Sequence, residues 1–201
     1  ILHPPPMPIA GLIRPAIPLS AQLVTFLSTL SSMNHCEAFA GKITALRHLI
    51  SVKKLDALIL RRNPNLAWAI GGRVHVPTTI DAACFDLVIT EGKVYAVTNA
   101  IEAPRLAVEE FPPGLEIKVV QWWEARNHGL ADGASIGCDQ PGAGLTDLGI
   151  EIEMLRASLD EYDHARYVDI SRRSALALGE AMKEVDRNDR EIDVAARITS
   201  A

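Results

Sequence analysis

The clearest pattern of hydrophobic and polar positions begins after Met33. Apolar residues recur there at intervals of three and four positions, and they are Phe39, Ile43, Leu46, Leu49 and Ile50. Basic residues lie between them, which is typical of an amphipathic helix with one apolar face. The spacing therefore predicts a helix over residues 37–54.

Short apolar runs predict the strands of a sheet. The expected strands cover residues 55–60, 85–90, 93–98, 115–120 and 134–138. Only Glu91 and Gly92 separate the second strand from the third, which indicates a β-hairpin. Helical segments are expected over residues 66–70 and 101–110. This order predicts an α/β fold with a mixed sheet, because a hairpin excludes a purely parallel one.

The character of the sequence changes at Gly149, where charged residues become dense. Apolar residues still recur at helical spacing, and they are Met154, Leu155, Leu159, Tyr162, Ile170, Ala177, Ala181 and Val185. Asn188 and Glu191 predict a capping box for a last helix that runs through Ile198. Helices with no sheet to cover would expose their apolar faces. We therefore expect this region to begin a second domain that the chain does not complete.

Composition and charge exclude two classes of partner. The 201 residues carry a net charge of −5 with the basic residues spread along the chain, whereas nucleic-acid binding needs a basic patch. The chain also lacks the uninterrupted apolar run of about 18 residues that a membrane span requires. We therefore expect no nucleic-acid partner and no membrane partner. Three widely separated cysteines, Cys36, Cys84 and Cys138, predict reduced thiols and a cytoplasmic location.

Residues 1–32 differ from the rest of the chain. They contain six prolines, a single arginine and no acidic residue. We interpret residues 1–36 as a loose, proline-rich extension ahead of the first domain. An organelle-targeting peptide is the alternative, although one arginine is few for such a segment.

The sequence carries no recognisable catalytic motif. No two of its six histidines are four positions apart and no H-E-x-x-H motif occurs, so a zinc-binding helix is not expected. No serine lies in a G-x-S-x-G frame and no Walker-type loop is present, which leaves a small independent α/β enzyme without support. We predict no catalytic residue and no metal ligand in this chain.

The segment over residues 65–75 is the best candidate for a functional site. It places Trp68 on a short predicted helix, followed by a glycine pair and then by Arg73 and His75. Arginine can bind a carboxylate through two hydrogen bonds, and histidine can donate or accept one. These residue types suit the rim of a substrate pocket. A turn with a buried tryptophan and with arginine and histidine on the surface is the alternative.

Several segments together resemble the creatinase, prolidase and Xaa-Pro aminopeptidase family of pita-bread metallopeptidases. They are LDALIL at 55–60, NLAWAIGGRVH at 65–75, TNAIEAPRL at 98–106, WWE at 122–124 and CDQP at 138–141, followed by the helical stretches 155–166 and 189–196. The resemblance implies a three-layer α/β amino-terminal domain of the creatinase type over residues 37–150. It further implies that residues 151–201 are the opening helices of an incomplete α+β pita-bread domain.

What this resemblance implies about function concerns mainly a longer parent protein. Members of the family bind two divalent metal ions, commonly manganese, cobalt or zinc, through residues of the pita-bread domain that lie beyond these helices. The metal ions, and a peptide or small-molecule substrate, are therefore expected only in a full-length parent. The family also forms dimers, so a homodimer is implied, with Arg73 and His75 at the substrate rim.

Two functions remain open at this point. The chain is either the non-catalytic amino-terminal portion of a metal-dependent aminopeptidase or dipeptidase of the Xaa-Pro type, or of a related hydrolase, and is then inactive alone. The alternative is a stand-alone dimerising or binding module without enzymatic activity.

Overall fold

The structure is a computed structural model that describes residues 34–72, 80–126, 128–140 and 142–200. Its helices are α1 (His35–Lys53), α2 (Asn63–Ile70), α3 (Ala103–Arg105), α4 (Gly149–Ala157), α5 (Glu161–Glu184) and α6 (Glu191–Ser200), and a π-helical turn, Leu106–Glu110, continues α3. Its strands are β1 (Ala57–Arg62), β2 (Ala82–Thr90), β3 (Val94–Asn99), β4 (Glu116–Val120), β5 (Ile136–Cys138) and β6 (Thr146–Asp147). None of the described helices combines the length and the apolar character needed to cross a membrane. The extension predicted over residues 1–36 lies outside the described residues, except for its last three.

Helix α1 begins and ends with residues that suit those positions. Asn34 Oδ1 accepts a hydrogen bond from the backbone N–H of Glu37 at 3.0 Å, and the Glu37 carboxylate accepts one from the N–H of Asn34 at 2.8 Å. This capping box satisfies amide groups that the first helical turn leaves unpaired. Lys54 ends the helix in a left-handed conformation with a φ of 55°. The predicted helix is confirmed, and it starts two residues earlier than expected.

The six described strands form one mixed sheet in the order β4-β3-β2-β1-β5-β6. Strand β2 runs antiparallel to β1 and to β3, whereas the pairs β3–β4, β1–β5 and β5–β6 are parallel. Ile89 of β2 pairs with Val94 of β3 beside the turn at residues 91–92. Both the predicted hairpin and the mixed sheet that follows from it are confirmed.

The two faces of the sheet have different coverings. Leu58 and Phe85 belong to a buried cluster that also contains residues of α1, α2 and α4. Ile59 lies one position along the strand, points to the opposite face and belongs to a second buried cluster. Leu130 and Leu145, which lie in connecting segments, pack against this second cluster. The described residues therefore form a layer of helices, a sheet and a layer of irregular chain.

Some element boundaries differ from those predicted. Strand β1 begins at Ala57 instead of Leu55, because the N–H of Leu55 still donates to the Ile50 carbonyl at the end of α1, at 3.0 Å. Strand β6 has two residues, which is too short for a periodic pattern to predict. Within the helix predicted over residues 101–110, only Ala103–Arg105 is α-helical, and Leu106–Glu110 is the π-helical turn.

The capping box predicted for the last helix is wrong. The side-chain amide of Asn188 donates to Asp186 Oδ1 at 2.8 Å and so belongs to the preceding turn. The Asp193 carboxylate accepts a hydrogen bond from the backbone N–H of Arg190 at 3.1 Å and another from its guanidinium at 2.9 Å. The helix α6 was thus predicted correctly, whereas the side chain that caps its start was not.

Helices α5 and α6 expose most of their apolar side chains. Ala181 is the one buried residue of α5 in the described structure, and α6 has none. Six large apolar side chains are between 48% and 68% exposed, and they are Tyr167, Ile170, Leu176, Leu178, Met182 and Ile192. The described part of the chain thus provides no sheet for these two helices to cover.

Candidate functional site

The last turn of α2, which leads into the candidate rim segment, is held at three points. Gly71 adopts a φ of 70°, and its N–H donates to the Ala67 carbonyl at 2.9 Å, as in a helix that ends with a left-handed glycine. The imidazole Nε2 of His35 is hydrogen-bonded to the carbonyl of Ile70. Arg166 of α5 donates from Nη1 to the Gly71 carbonyl at 3.0 Å. The chain therefore leaves α2 in a defined direction.

Gly72 is required by a close approach of two backbone segments. A Cβ atom at this position would lie 2.7 Å from the carbonyl oxygen of Glu110 and 3.0 Å from its carboxylate. Arg105 donates to that carboxylate at 3.2 Å and to the carboxylate of Glu102 at 3.1 Å. A larger residue at position 72 would displace the end of the π-helical turn.

Arg73 and His75, the two predicted substrate-rim residues, follow directly. Both lie outside the described residues, so their location at a rim stays a prediction. The structure describes the point from which their segment leaves, which is the contact between Gly72 and Glu110.

A capping side chain and an ion pair stabilise the turn ahead of α3. Asn99 Oδ1 accepts hydrogen bonds from the backbone N–H groups of Ile101 at 2.9 Å and of Glu102 at 3.0 Å. Arg105 pairs with Glu102 three positions earlier. These residues have a structural role, since they hold the turn that contacts Gly72.

Lys42 makes a set of contacts that the sequence pattern did not predict. Its side chain is only 6% exposed, and Nζ donates to Asp163 Oδ1 at 2.9 Å and to the Trp68 carbonyl at 3.0 Å. The Asp160 carboxylate lies 3.6 Å from the same nitrogen. A buried ammonium group is tolerated when it is paired in this way. Lys42, a residue of α1, therefore links the start of α5 with α2.

One signal in the sequence could have identified Lys42 as buried. Ala38, Lys42 and Leu46 are spaced four positions apart and lie along one face of α1, and all three are buried. A cation inside the apolar stripe of a helix needs an acidic partner nearby. The identity of that partner is not encoded locally, because Asp163 is 121 positions away.

A second polar cluster surrounds Asp86 on the face of the sheet that irregular chain covers. The Asp86 carboxylate is 1% exposed and contacts Arg126 Nη1 at 2.6 Å, His128 Nε2 at 2.7 Å and Arg61 Nε at 3.2 Å. Burial alone would raise the pKa of Asp86, but the hydrogen bond with His128 and the charges of Arg126 and Arg61 hold it below its ordinary value. Asp86 is thus an ionised anchor for the segment that follows β4.

Asp139 of the CDQP segment joins several elements of the fold through hydrogen bonds. It is buried, and its carboxylate accepts hydrogen bonds from the backbone N–H groups of Arg61 at 2.8 Å and Arg62 at 3.1 Å. The Asn65 side-chain amide donates to the same carboxylate at 2.9 Å. Asp139 therefore joins β1, the start of α2 and the end of β5, which is a structural role.

The described residues do not fit a metal centre. Within the described ranges, no group of three or more His, Cys, Asp or Glu side chains is arranged to hold a metal ion. The Asp86 and Asp139 carboxylates are already occupied by protein donors. The pair of divalent ions implied by the resemblance therefore has no place among these residues.

A groove of about 660 Å³ lies between α1 and α4, and we call it the α1–α4 groove. Ala45, Leu49 and Met154 are among its apolar walls, with His48 and Glu151 among its polar residues. Its volume lies in the range of small-molecule sites. Its described residues include no nucleophile hydrogen-bonded to a base, so the groove supports no assignment of catalysis.

Comparison with known proteins identifies the fold. No family model and no curated protein sequence matches the chain significantly. Among solved structures, prolidase from Pyrococcus horikoshii OT3 is similar with a TM-score of 0.56 and 14% identity, over 79% of this chain and 47% of that one. The chain has the prolidase-type fold. The resemblance inferred from the sequence is thereby confirmed for the fold.

Two further solved structures are similar to this chain. Xaa-Pro dipeptidase from Bacillus anthracis has a TM-score of 0.55 and 12% identity, over 80% of this chain and 47% of that one. X-Pro aminopeptidase from Thermotoga maritima MSB8 has a TM-score of 0.52 and 16% identity, over 78% and 47%. This chain spans about half the length of each of these three structures.

Proposed function

We propose that this chain is the amino-terminal, non-catalytic portion of a metal-dependent aminopeptidase or dipeptidase of the Xaa-Pro type, or of a related hydrolase. The observation that carries the proposal is the likeness of about four fifths of the chain to about half of a prolidase and of an Xaa-Pro dipeptidase. The second half of such a protein would contain the two divalent metal ions, manganese, cobalt or zinc, and the catalytic residues. The proposed location is the cytoplasm.

The lack of a metal-binding cluster among the described residues is compatible with this division of labour. The exposed apolar faces of α5 and α6 also support it, because a further domain would cover them. In this proposal residues 37–150 are the amino-terminal domain, and residues 151–201 open the catalytic domain.

The proposed contribution of this half is to dimerisation and to the substrate rim. Arg73 would bind a substrate carboxylate and His75 would donate or accept a hydrogen bond. Support comes from the anchoring of the preceding residues, since Gly71 is held by Arg166 and Gly72 by its contact with Glu110. A rim residue needs a fixed starting point of this kind to be positioned reproducibly.

The first experiment is the intact mass of the native polypeptide, detected in its source cells with an antibody against this chain. A mass of roughly twice 21.8 kDa would support the proposal, because a catalytic domain of ordinary size would then be attached. A mass near 21.8 kDa would contradict it and favour the binding module described below.

A second experiment tests the purified 201-residue chain for activity. We expect no hydrolysis of Xaa-Pro dipeptides when manganese, cobalt or zinc is added, and no stoichiometric metal by elemental analysis after desalting. Metal-dependent turnover by this chain alone would refute the proposed division of labour.

The rim residues are tested in the active, full-length protein. Arg73→Ala should raise the KM for an Xaa-Pro dipeptide about tenfold, since one hydrogen bond to a charged group contributes about 1.5 kcal/mol. The kcat should change less, because the interaction is made in the ground state as well. Arg187→Ala is the control, because Arg187 is exposed in the loop between α5 and α6. Equal effects of the two substitutions would show that Arg73 does not contact the substrate.

The alternative function is a stand-alone dimerising module without activity. The apolar side chains exposed on α5 favour it, because a second copy of the chain could cover them. Sedimentation velocity of the purified chain distinguishes the two functions when it is combined with the mass measurement. A stable dimer together with a native mass near 21.8 kDa would establish the module.

A further inference from the structure

Strand β4 lies at one edge of the sheet, and its outer side has no partner among the described residues. The N–H of Ala100, which follows β3, donates to the Val120 carbonyl at 2.9 Å, so the backbone groups of Val120 point towards β3. Successive residues of a strand direct their N–H and C=O groups to alternate sides. The backbone groups of Ile117 and Val119 therefore point outwards, and we call these four groups the β4 edge.

Apolar side chains are exposed where β4 ends. Val119 is 54% exposed, and Trp122 and Trp123, just beyond the strand, are each 65% exposed. The two indole rings contact each other edge to face, with their centroids 5.4 Å apart. Tryptophan is enriched in protein interfaces, and an uncovered edge strand is a template for pairing with another strand. Together these features indicate an interface that includes a second polypeptide strand.

Two charged side chains of β4 have no opposite charge beside them in the described part of the chain. Lys118 Nζ lies 3.8 Å from the centre of the Tyr95 ring and 3.5 Å from the backbone carbonyl oxygen of His128, and neither group carries a charge. Glu116 is exposed, and it forms no ion pair with a described residue. Both side chains lie on the face of the sheet that irregular chain covers, because they pair with Tyr95 and Val97 of β3. The strand thus presents one unpaired charge of each sign, two positions apart.

We propose that the β4 edge pairs antiparallel with β4 of a second copy of this chain, about a two-fold axis at Ile117. In this register Ile117 lies opposite the partner's Ile117, and their outward N–H and C=O groups bond to each other. Glu116 lies opposite the partner's Lys118, and the symmetry repeats this pair on the other side of the axis. Each unpaired charge thereby receives its counter-charge.

Charge selects this register among the symmetric ones. An axis at Lys118 would place the two lysines opposite each other, and like charges at that position destabilise a pair of strands. An axis at Val119 would place Lys118 opposite the partner's Val120 and leave the charges unpaired. With the axis at Ile117, the opposed charges occupy non-hydrogen-bonded positions, where the side chains of an antiparallel pair are closest.

The exposed tryptophans fit the same arrangement. Antiparallel pairing puts the end of one β4 beside the residues that lead into the other, so Trp122 and Trp123 cover the partner's Pro113, which is exposed, and its Leu115, which is half-buried. Covering the exposed parts of four tryptophan side chains, two from each copy, would bury roughly 500 Å². This is a large share of the surface of about 1,200 Å² that the smaller specific interfaces bury. The dimer is closed, since each β4 edge is covered by its single partner.

This inference does not rest on the proposed function. It uses only residues of the sheet and its connections, and it holds for a stand-alone module as well as for half of a peptidase. Helices α5 and α6 take no part in the pairing, so association through their apolar side chains would join such dimers into larger assemblies.

Disulfide formation between two copies of the full 201-residue chain tests the register. The exposed native thiol is first removed by Cys36→Ser, and Ile117→Cys is then added. In the proposed register the two Cα atoms at position 117 lie about 5.5 Å apart, which a disulfide can bridge. Val119→Cys is the matched control. It changes a more exposed residue of the same strand, but its two Cα atoms would lie about 13 Å apart.

Under mild oxidation with oxidised glutathione, Ile117→Cys should give a covalent dimer on a non-reducing gel, whereas Val119→Cys should not. A dimer yield with Val119→Cys that equals or exceeds the yield with Ile117→Cys would overturn the proposal. The absence of a dimer with both variants would overturn it as well.

Charge reversal tests the pairing of Glu116 with Lys118. Glu116→Lys gives a strand with two positive charges, and Lys118→Glu gives a strand with two negative charges. In the background with Cys36→Ser and Ile117→Cys, each variant alone should form the covalent dimer about tenfold more slowly, because like charges replace both opposite pairs.

An equimolar mixture of the two variants should restore the original rate by forming a mixed dimer, since the positive strand then faces the negative one. This restoration would also show that both variants are folded. Equal rates in all samples, or a mixture as slow as its two components, would overturn the proposed pairing.

Discussion

At the scale of single residues, the buried carboxylate of Asp86 contacts Arg61, Arg126 and His128. Asp86→Asn keeps the shape of the side chain but leaves Arg61 and Arg126 without their counter-charge. We expect the free energy of unfolding at neutral pH to fall by about 3 kcal/mol, as when one member of a buried ion pair is removed. Urea denaturation of the wild type and the variant measures this change in the free energy of unfolding. Asp169→Asn, which removes an exposed carboxylate on α5, should have little effect.

The pH dependence of this effect has a definite sign. The pKa of Asp86 is lower in the folded protein than its ordinary value of 3.8. A carboxylate of this kind stabilises the fold above its unfolded pKa, and the stabilisation is lost as the pH falls through the folded pKa. The difference in unfolding free energy between the wild type and Asp86→Asn should therefore shrink below about pH 4. A difference that stays constant through the acid range would contradict this account.

The three cysteines should differ in reactivity. Burial raises the pKa of the Cys84 and Cys138 thiols, whereas Cys36 is exposed near the start of α1. Since the thiolate is the reactive form, we expect one fast-reacting thiol per native chain with Ellman's reagent and three after denaturation. Cys36→Ser should remove the fast phase. A fast phase that persists in this variant would show that a buried thiol is accessible.

At the scale of elements, the ion pair between Lys42 and Asp163 links α5 to α1. Lys42→Met leaves the Asp163 carboxylate, which is 13% exposed, without its cation. We expect a loss of about 3 kcal/mol in the free energy of unfolding. Amide hydrogen exchange should also become faster in the first turns of α5.

Lys53→Met is the matched control on the same helix. Lys53 pairs with Glu151 at the surface, where both side chains are more than a third exposed, so the substitution should change stability and exchange little. If the two methionine variants unfolded at the same urea concentration, the proposed role of Lys42 would be wrong.

Elements were predictable from the sequence where their pattern is long and regular. The spacing of Ile43, Leu46 and Ile50 identified α1, and the glycine at position 92 between two apolar runs identified the β2–β3 hairpin. The two residues of β6 carry no pattern of their own, and they join the sheet by pairing with Gly137 and Cys138. Such an element exists because its partner strand is present, which periodicity cannot indicate.

At the scale of the whole molecule, the exposed apolar side chains of α5 and α6 should drive self-association. Exposed patches of this kind usually mark an interface. We expect the sedimentation coefficient of the purified chain to rise with concentration, and Leu176→Glu combined with Met182→Glu to suppress that rise. Ile101→Glu is the control, because Ile101 is 66% exposed but lies far along the chain from α5. A wild-type monomer at every concentration would contradict the expectation.

For the candidate site, the sequence predicted a rim segment with Arg73 and His75, because a glycine pair before two polar side chains is a local feature. Both residues lie outside the described part of the chain, so this stays a prediction. The sequence pattern did not predict the contacts of Lys42, whose partner Asp163 is 121 positions away.

By itself, the sequence determined the kinds and the order of the longer elements and the mixed character of the sheet. Those properties follow from spacing and turn residues, which act between neighbours in the chain. The tertiary structure alone decided which polar groups meet. Asp86 finds Arg126 and His128, and Lys42 finds Asp163, because strand order and helix packing bring distant segments together. A buried charge requires a partner, but only the fold determines where in the chain that partner lies.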